Sequence, residues 1–384
     1  MINFRKVELE DQKAYKPYMA QQQCRSCECT FANLYLWSRF YAVTATVENG
    51  MLLTKSEEGD YLSYGFPMGK PKYLKEAVDA LYEYSKEKKR KFQMHNVTPE
   101  QFALLEEIYP GRFQIEYRRD YADYVYEAEK LAKLSGKKYH GKKNHTNKFK
   151  KLYPNWQYER LNDSNVEECF QMALKWRNKN GCEEDTEKNS EMCVTLNSLR
   201  LYKELDLCGG VLRAEGNVVA FSIGEPVSDD TFVVHIEKAF ADVPGAYPMI
   251  NQQFVEHEVQ GFSYVNREED MGETGLRSAK ESYHPIFMVE KGIVTENPAA
   301  DLELPKVEKK VPEILSLEKV ELLLEQPSSE EDKEVRDKAM LELLYATGIR
   351  VTELISLRVA DLNLPLEYIH CGSEAKSRII PIGA

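Results

Sequence analysis

The run from Gly209 to Gln260, GGVLRAEGNVVAFSIGEPVSDDTFVVHIEKAFADVPGAYPMINQQFVEHEVQ, constrains the fold more than any other part of the chain. Three apolar, β-branched stretches are separated by Glu215-Gly216-Asn217 and Ser228-Asp229-Asp230, residues that favour tight turns. The third stretch, TFVVHIEKAF, ends at ADVPGAYPM and feeds directly into a helical pattern over INQQFVEHEV. FSYVNREEDM then supplies another strand. Strands in a meander followed by a helix and a further strand specify an α+β fold. On the third strand His235 and Glu237 alternate, so they share one face, and Lys238 lies on the other.

The span from Val265 to Pro285, VNREEDMGETGLRSAKESYHP, packs Arg267, Glu268, Glu269, Asp270, Arg277, Lys280, Tyr283 and His284 behind that last strand. Gly272 and Gly275 sit where the backbone must turn. A charge run after an apolar strand is either a solvated loop or the lip of a pocket. Arg277 and Lys280 are three apart and would face the same way on a helix.

A chain of 384 residues is expected to form two or three domains. No run approaches the roughly 18 apolar residues of a membrane span, and the first residues carry no apolar signal core, so a cytoplasmic location is expected. The eight cysteines are scattered and read as reduced thiols. The Cys24-x2-Cys27-x-Cys29 cluster has no second pair at zinc-site spacing, and no metal is expected. A net charge of −12 disfavours binding of nucleic acid over the whole surface. One local exception stands out: from Lys130 to Lys151 there are nine lysines and no acidic residue. The bland reading is a solvated lysine-rich helix; the functional one is a footprint for phosphates of a nucleotide, an RNA or a lipid head group.

Residues 1–125 mix strands and helices, with an amphipathic helix over KYLKEAVDALYEYSKEKKRKF and a second helix opening at Pro99. Residues 126–293 carry the basic helix and the meander, and 294–313, rich in Pro and Lys, read as a linker. Residues 314–384 are mostly helical, ending in a hairpin-like YIHCGSEAKSRIIPIG.

The meander, glycine loop, helix and strand resemble the core of GNAT-type acyltransferases, whose loop amides and helix N-terminus cradle the donor's phosphates. In the matching loop, Asp242 to Tyr247, Gly245 fits the pattern, while Asp242 and Tyr247 stand where Arg/Gln and a small residue are usual. That departure argues against ordinary acetyl-CoA binding. The runs LSGKKYHGKKNHTNKF, AFSIGE, HIEKAFADVPGAY-x3-NQQF and NREEDMGETGLRSAKESYHP together resemble a bacterial family. It is grouped with the C-terminal domain of phosphatidylglycerol lysyltransferases, tandem GNAT-like proteins related to the Fem peptidyltransferases. The resemblance covers about residues 1–293. It implies two GNAT-like lobes with a cleft, and transfer of an acyl or aminoacyl group from an acyl-CoA or charged-tRNA donor to an unidentified acceptor. No tightly bound cofactor is implied. On this reading Glu237 accepts or orients the proton of the acceptor, His235 shares its face, and Lys280 stabilises charge on the donor or oxyanion. Arg277 flanks Lys280, and Tyr283 donates a hydrogen bond. Lys142, Lys143, Gly245, Ala246 and Asn251 would hold the donor. The structural alternative is an ion pair of Glu237 with Lys280 or Arg277.

The tail resembles the start of the catalytic domain of Xer-type tyrosine recombinases, through NPA…PK, RDKAMLELLYATGIRVTELISL and the hairpin ending in RIIPIG. Arg350 stands at that family's first catalytic arginine. The hairpin lysine is replaced by Gly372-Ser373-Glu374 unless Lys376 substitutes, and the His-x-x-Arg motif and nucleophilic tyrosine do not occur before Ala384. Strand cleavage is therefore not expected, and the incomplete core should expose apolar surface. The leading expectation is an acyl or aminoacyl transferase with an incomplete recombinase tail. The alternatives are a DNA-recombination or DNA-binding protein, with at most weak duplex contact through the tail, and a noncatalytic module that binds RNA or anionic lipid.

Overall fold

A computed structural model describes residues 2–181, 186–300, 314–328, 330–372 and 377–382, apart from the side chain of residue 187. Cys182 and Lys376 therefore lie outside the described residues, as does most of the expected linker. The chain divides into two compact units, Met1–Leu302 and Glu303–Ala384.

The first unit is α+β and holds two sheets. One runs in the order Arg5–Lys6, Val43–Glu48, Met51–Glu58, Tyr61–Tyr64, Gln93–Val97, Gly292–Glu296 and Phe113–Tyr117. Its core is covered by the amphipathic helix Leu74–Glu87, which buries Leu74, Ala77, Val78 and Leu81. The helix Pro99–Ile108 starts where expected: the Thr98 hydroxyl accepts from Gln101 N–H, and the Gln101 side-chain oxygen accepts from Thr98 N–H. This reciprocal cap satisfies two otherwise orphaned donors.

The other sheet runs Phe287–Val289, Asp123–Glu127, Tyr264–Asn266, Thr231–Ala239, Asn217–Pro226, Cys208–Ala214 and Gln157–Arg160. Its three-strand meander turns where the sequence places the turns, with Glu215 and Gly216 at positive φ. The helix Ala246–Glu258 begins a turn earlier than INQQFVEHEV suggests, because Gly245 at φ +86° caps it. A Cβ on Gly245 would lie 2.5 Å from the His145 carbonyl oxygen and 3.0 Å from Phe149 Cβ. That close approach locks the loop onto the basic helix His140–Leu152.

Two features cross the boundary read near residue 125. The strand Gly292–Glu296 returns to the first sheet between Gln93–Val97 and Phe113–Tyr117, so residues 294–296 are sheet rather than linker. The largest apolar cluster joins Tyr15, Met19, Phe31 and Leu36 to Cys169, Met172, Phe221 and Ile236. The halves thus share a core.

Thr231–Ala239 and Tyr264–Asn266 pair in parallel only through Val233↔Asn266. Beyond that point the strands part, and side chains fill the gap. His235 Nδ1 lies 2.7 Å from Glu268 Oε1, and its Nε2 3.2 Å from Glu225 Oε1. Burial pushes the imidazole down, but hydrogen bonds to the two carboxylates outweigh it and raise the pKa from 6.5 to about 10. Burial likewise pushes the Glu268 carboxyl up, with His235 pulling it back.

The second unit contains the helices Leu317–Glu325, Asp332–Thr347 and Val351–Ser356 and a small sheet that includes the expected hairpin, Tyr368–Cys371 against Arg378–Pro381. Its core is small, centred on Ile349, Leu354, Ile369 and Cys371. Ile314, Ile355, Val359, Leu364 and Leu366 are exposed, so this unit presents open apolar surface.

Because the folded pKa of His235 is raised, its contribution is complete below its ordinary value and fades as pH rises through about 10. Thermal melts of the chain and of His235→Asn should differ most at about pH 6 and converge as pH rises toward ~10. A constant gap across that range would refute the assignment. A Gly245→Ala variant should lose about 1–3 kcal/mol, since it adds a clash to a left-handed backbone. An unchanged denaturant midpoint would show that the basic helix does not press on this loop.

Candidate active site at the strand splay

Glu237 stands at the centre of the gap between the parted strands. Its Oε1 accepts from Arg267 Nη2 at 2.9 Å, and its Oε2 from Asn251 Nδ2 at 3.0 Å. The Arg267 and Glu237 side chains are each 12% exposed. A buried ion pair of this kind must be well satisfied to persist. Burial works against the Arg267 charge, but Glu237 together with Tyr126 and Tyr283 offsets it and the guanidinium pKa is raised.

Two side-chain atoms flanking this carboxylate have no partner among the described residues. They are Arg267 Nη1 and Asn251 Oδ1, both buried. One is a hydrogen-bond donor and the other an acceptor, and leaving either unmet costs about 1–3 kcal/mol. Such a pair is a natural seat for a ligand group that carries both functions.

Tyr283 closes one side. Its ring lies 4.8 Å from the Arg267 guanidinium carbon and 4.0 Å from Lys142 Nζ. Burial pushes the Lys142 pKa down, and Arg267 adds to the effect. Burial also raises the Tyr283 phenol well above its ordinary value. The structure thus brings Glu237, Tyr283, Lys142 and Asn251 together, with His235 next along the same strand face.

Lys280 and Arg277 go elsewhere. The Lys280 ammonium donates to the main-chain carbonyls of Arg267 at 2.6 Å, Glu268 at 3.2 Å and Glu269. A lysine has three N–H donors, and all three are spent. Lys280 therefore pins the loop that presents Arg267 and Glu268, and its pKa is lowered chiefly by burial. Arg277 clamps Asp270 through Nε and Nη2, each at 2.8 Å, and reaches Asp120 at 2.7 Å. Asp270, fully buried, also accepts from Tyr124 and from Gly272 N–H. Glu237 pairs with neither Lys280 nor Arg277; its partner is Arg267. The register offered a clue to the loop: continuing the parallel pairing past Val233↔Asn266 sets residue 235 opposite residue 268.

Gly245 and Ala246 form the turn before the helix that carries Asn251. Ala246 is buried and donates to the Val243 carbonyl, Asp242 pairs with Lys179 at 2.6 Å, and the Tyr247 hydroxyl accepts from Trp176 Nε1. Lys143, the next residue along the basic helix, is exposed. Arg350 is exposed in the second unit, at the start of the helix Val351–Ser356.

A second buried network, unforeseen from the sequence, joins the lobes. Lys291 Nζ lies 2.7 Å from Asp123, 2.8 Å from Glu28, 3.3 Å from Glu269 and 3.6 Å from Cys27 Sγ. Cys27, Asp123 and Glu269 offer ligand atoms within 4.8 Å of one another, a spacing a metal ion could use. The Lys291 ammonium sits among those same atoms and supplies their positive charge.

Residues 313–384 match the phage integrase family. Over 126 residues the chain is 41% identical to the tyrosine recombinase XerD of Halalkalibacterium halodurans, covering 32% of this chain and 42% of that protein. The chain thus spans well under half the length of this curated relative. A conserved protein of unknown function from Bacteroides thetaiotaomicron superposes over 77% of this chain and 100% of its own, with a TM-score of 0.73 and 35% identity. The C-terminal domain of a putative lysylphosphatidylglycerol synthetase from Agrobacterium fabrum shares the fold at 13% identity and a TM-score of 0.56, over 76% of this chain and 93% of its own. Residues 20–293 match the family described as phosphatidylglycerol lysyltransferase, C-terminal, and with that match covering most of its length the chain belongs to this family.

Proposed function

We propose that the first unit transfers an acyl group, and specifically an aminoacyl group from a charged tRNA, at the Glu237–Arg267–Asn251 site. The observation that carries this reading is the unpartnered pair beside Glu237, Arg267 Nη1 and Asn251 Oδ1. An α-aminoacyl ester has a carbonyl oxygen to accept from the guanidinium and an amine to donate to the amide oxygen. As the acceptor's amine or hydroxyl attacks, a bond forms to the carbonyl carbon, and Arg267 faces the developing oxyanion. Glu237, which uses only one lone pair of each oxygen, takes the acceptor's proton. Collapse breaks the ester C–O bond, and the proton passes to the leaving tRNA hydroxyl. Lys142 beside Tyr283 adds positive potential on the donor side.

Ordinary acetyl-CoA fits less well. The loop whose amides would cradle its pyrophosphate is pressed onto the basic helix at Gly245, with Ala246 N–H already spent. Asp242 adds a carboxylate there.

A second reading rests on the integrase match and the exposed Arg350: weak contact of the tail with duplex DNA. It predicts salt-dependent duplex binding that falls in Arg350→Ala. Binding unaffected by that change would remove it.

For the transferase reading, the chain is mixed with labelled charged tRNAs and a cell extract as acceptor source, and transfer of label is followed. Arg267→Lys should slow transfer by roughly a hundredfold or more, as loss of an oxyanion donor does. Glu237→Gln should cost about 10²–10⁴ in rate. Full activity in both variants would place the chemistry elsewhere.

A further inference from the structure

A small cavity of about 50 Å³ lies against the site, among residues that the donor does not use. Its apolar wall is Leu36, Trp37, Val194 and Ile236, and its polar groups are Asn33, Glu191, His235 and Glu268. The helices Phe31–Trp37 and Thr186–Arg200 bring two of its sides from separate lobes. It abuts the reactive carboxylate, because Ile236 precedes Glu237 on the strand and Glu268 follows Arg267 on the loop. The Glu191 side chain is 43% exposed, so the cavity reaches solvent on that side.

Charge around this cavity is unbalanced. Glu191 pairs with Lys238, while Glu225 and Glu268 share the single imidazolium of His235. Three carboxylates therefore meet two cations. Among the described residues, Glu191 Oε2, Glu268 Oε2 and the side chain of Asn33 have no hydrogen-bond partner in the protein. A primary ammonium carries three N–H donors and one positive charge, which suits two carboxylate oxygens and an amide oxygen. Trp37 adds an aromatic wall, a surface that attracts cations. A hydroxyl has one donor and would leave acceptors unmet, and a phosphate would face the carboxylates. The space suits about four water-sized groups, an ammonium and the first methylenes of its stem.

We propose that this cavity is the acceptor site and selects a primary alkylamine, taken up as its ammonium. The word acceptor rests on the transfer reading; the binding does not. When the amine nitrogen attacks, the N–C bond forms and the ester C–O bond breaks. The ammonium loses two protons in becoming an amide: Glu237 passes one to the leaving hydroxyl, and the other goes to water.

The test compares n-propylamine with n-propanol, without a donor, through the thermal midpoint of the whole chain at pH 7 and matched ionic strength. Propylamine should raise the midpoint and propanol should not. Glu191→Gln should weaken amine binding roughly tenfold, as loss of a charged hydrogen-bond partner does. Val194→Phe puts a ring into the cavity and should abolish the rise. Glu204→Gln, which removes an exposed carboxylate elsewhere in the same lobe, should bind as the parent does. Each variant is read against its own midpoint without amine, so a lower stability does not mask the result. Equal rises with amine and alcohol would overturn the charge selection. Equal losses in Glu191→Gln and Glu204→Gln would overturn the cavity in favour of diffuse attraction, and no rise in the parent would overturn it outright. Adding labelled charged tRNA separates the two readings. Amine binding with no transfer to any acceptor would refute the reaction and still support an amine site. Label passing to propanol and not to propylamine would refute the site and leave the reaction standing.

Discussion

The structure of the first unit depends on two parallel strands that cannot stay together. Thr231–Ala239 and Tyr264–Asn266 separate after Val233↔Asn266, and the freed space would be an apolar wound or a water channel if left empty. It is filled instead by ion pairs, Glu268 with His235 and Arg267 with Glu237. Buried charges of this kind need a well-ordered set of surrounding hydrogen bonds. Lys280 provides much of that order by binding three successive carbonyls, and Arg277 on Asp270 anchors the end of the same loop. The two atoms left unmet, Arg267 Nη1 and Asn251 Oδ1, therefore stand in a rigid frame. Preorganised donors in a dry setting are worth far more than the same groups in water.

Much of this was legible in the sequence, for physical reasons. The meander and its turns follow from β-branched runs broken by glycine and aspartate, and they form where those residues sit. Glu237 and His235 share a face because strand periodicity admits no alternative. The loop after Asn266 was recognisable as charge-rich, but its pairing was not. Spacing on the helix suggested that Lys280 and Arg277 face one way, and both do reach back to residues 267–270. Spacing could not show that Lys280 would end on carbonyl oxygens and so leave Arg267 as the partner of Glu237. That depends on how far the strands part, a tertiary quantity. Lys291 was hidden for a similar reason: nothing local predicts that one lysine will meet Asp123, Glu28 and Glu269 from three separate segments.

The same network ties the lobes together within one compact unit. The strand Gly292–Glu296 follows Lys291 directly and returns to the first sheet, so the buried ammonium sits at the crossing point. Its pKa is raised because the carboxylates around it, Asp123 foremost, outweigh the cost of burial. The second unit shows the opposite regime. Its few buried residues and many exposed leucines, isoleucines and valines describe a domain whose apolar faces exceed what it can cover. Its family match is clear, but the chemistry supported by the structure lies in the first unit.

The proposed donor at the splay is an aminoacyl group and not simple acetyl-CoA. Its most direct test is the thermal midpoint of the whole chain with a nonhydrolysable aminoacyl-nucleoside amide, compared with the deacylated nucleoside and with acetyl-CoA. A ligand that binds only the folded state raises the midpoint by mass action. The account predicts a rise with the aminoacyl compound that disappears in Arg267→Lys, and none with the other two. A rise with acetyl-CoA alone would contradict it.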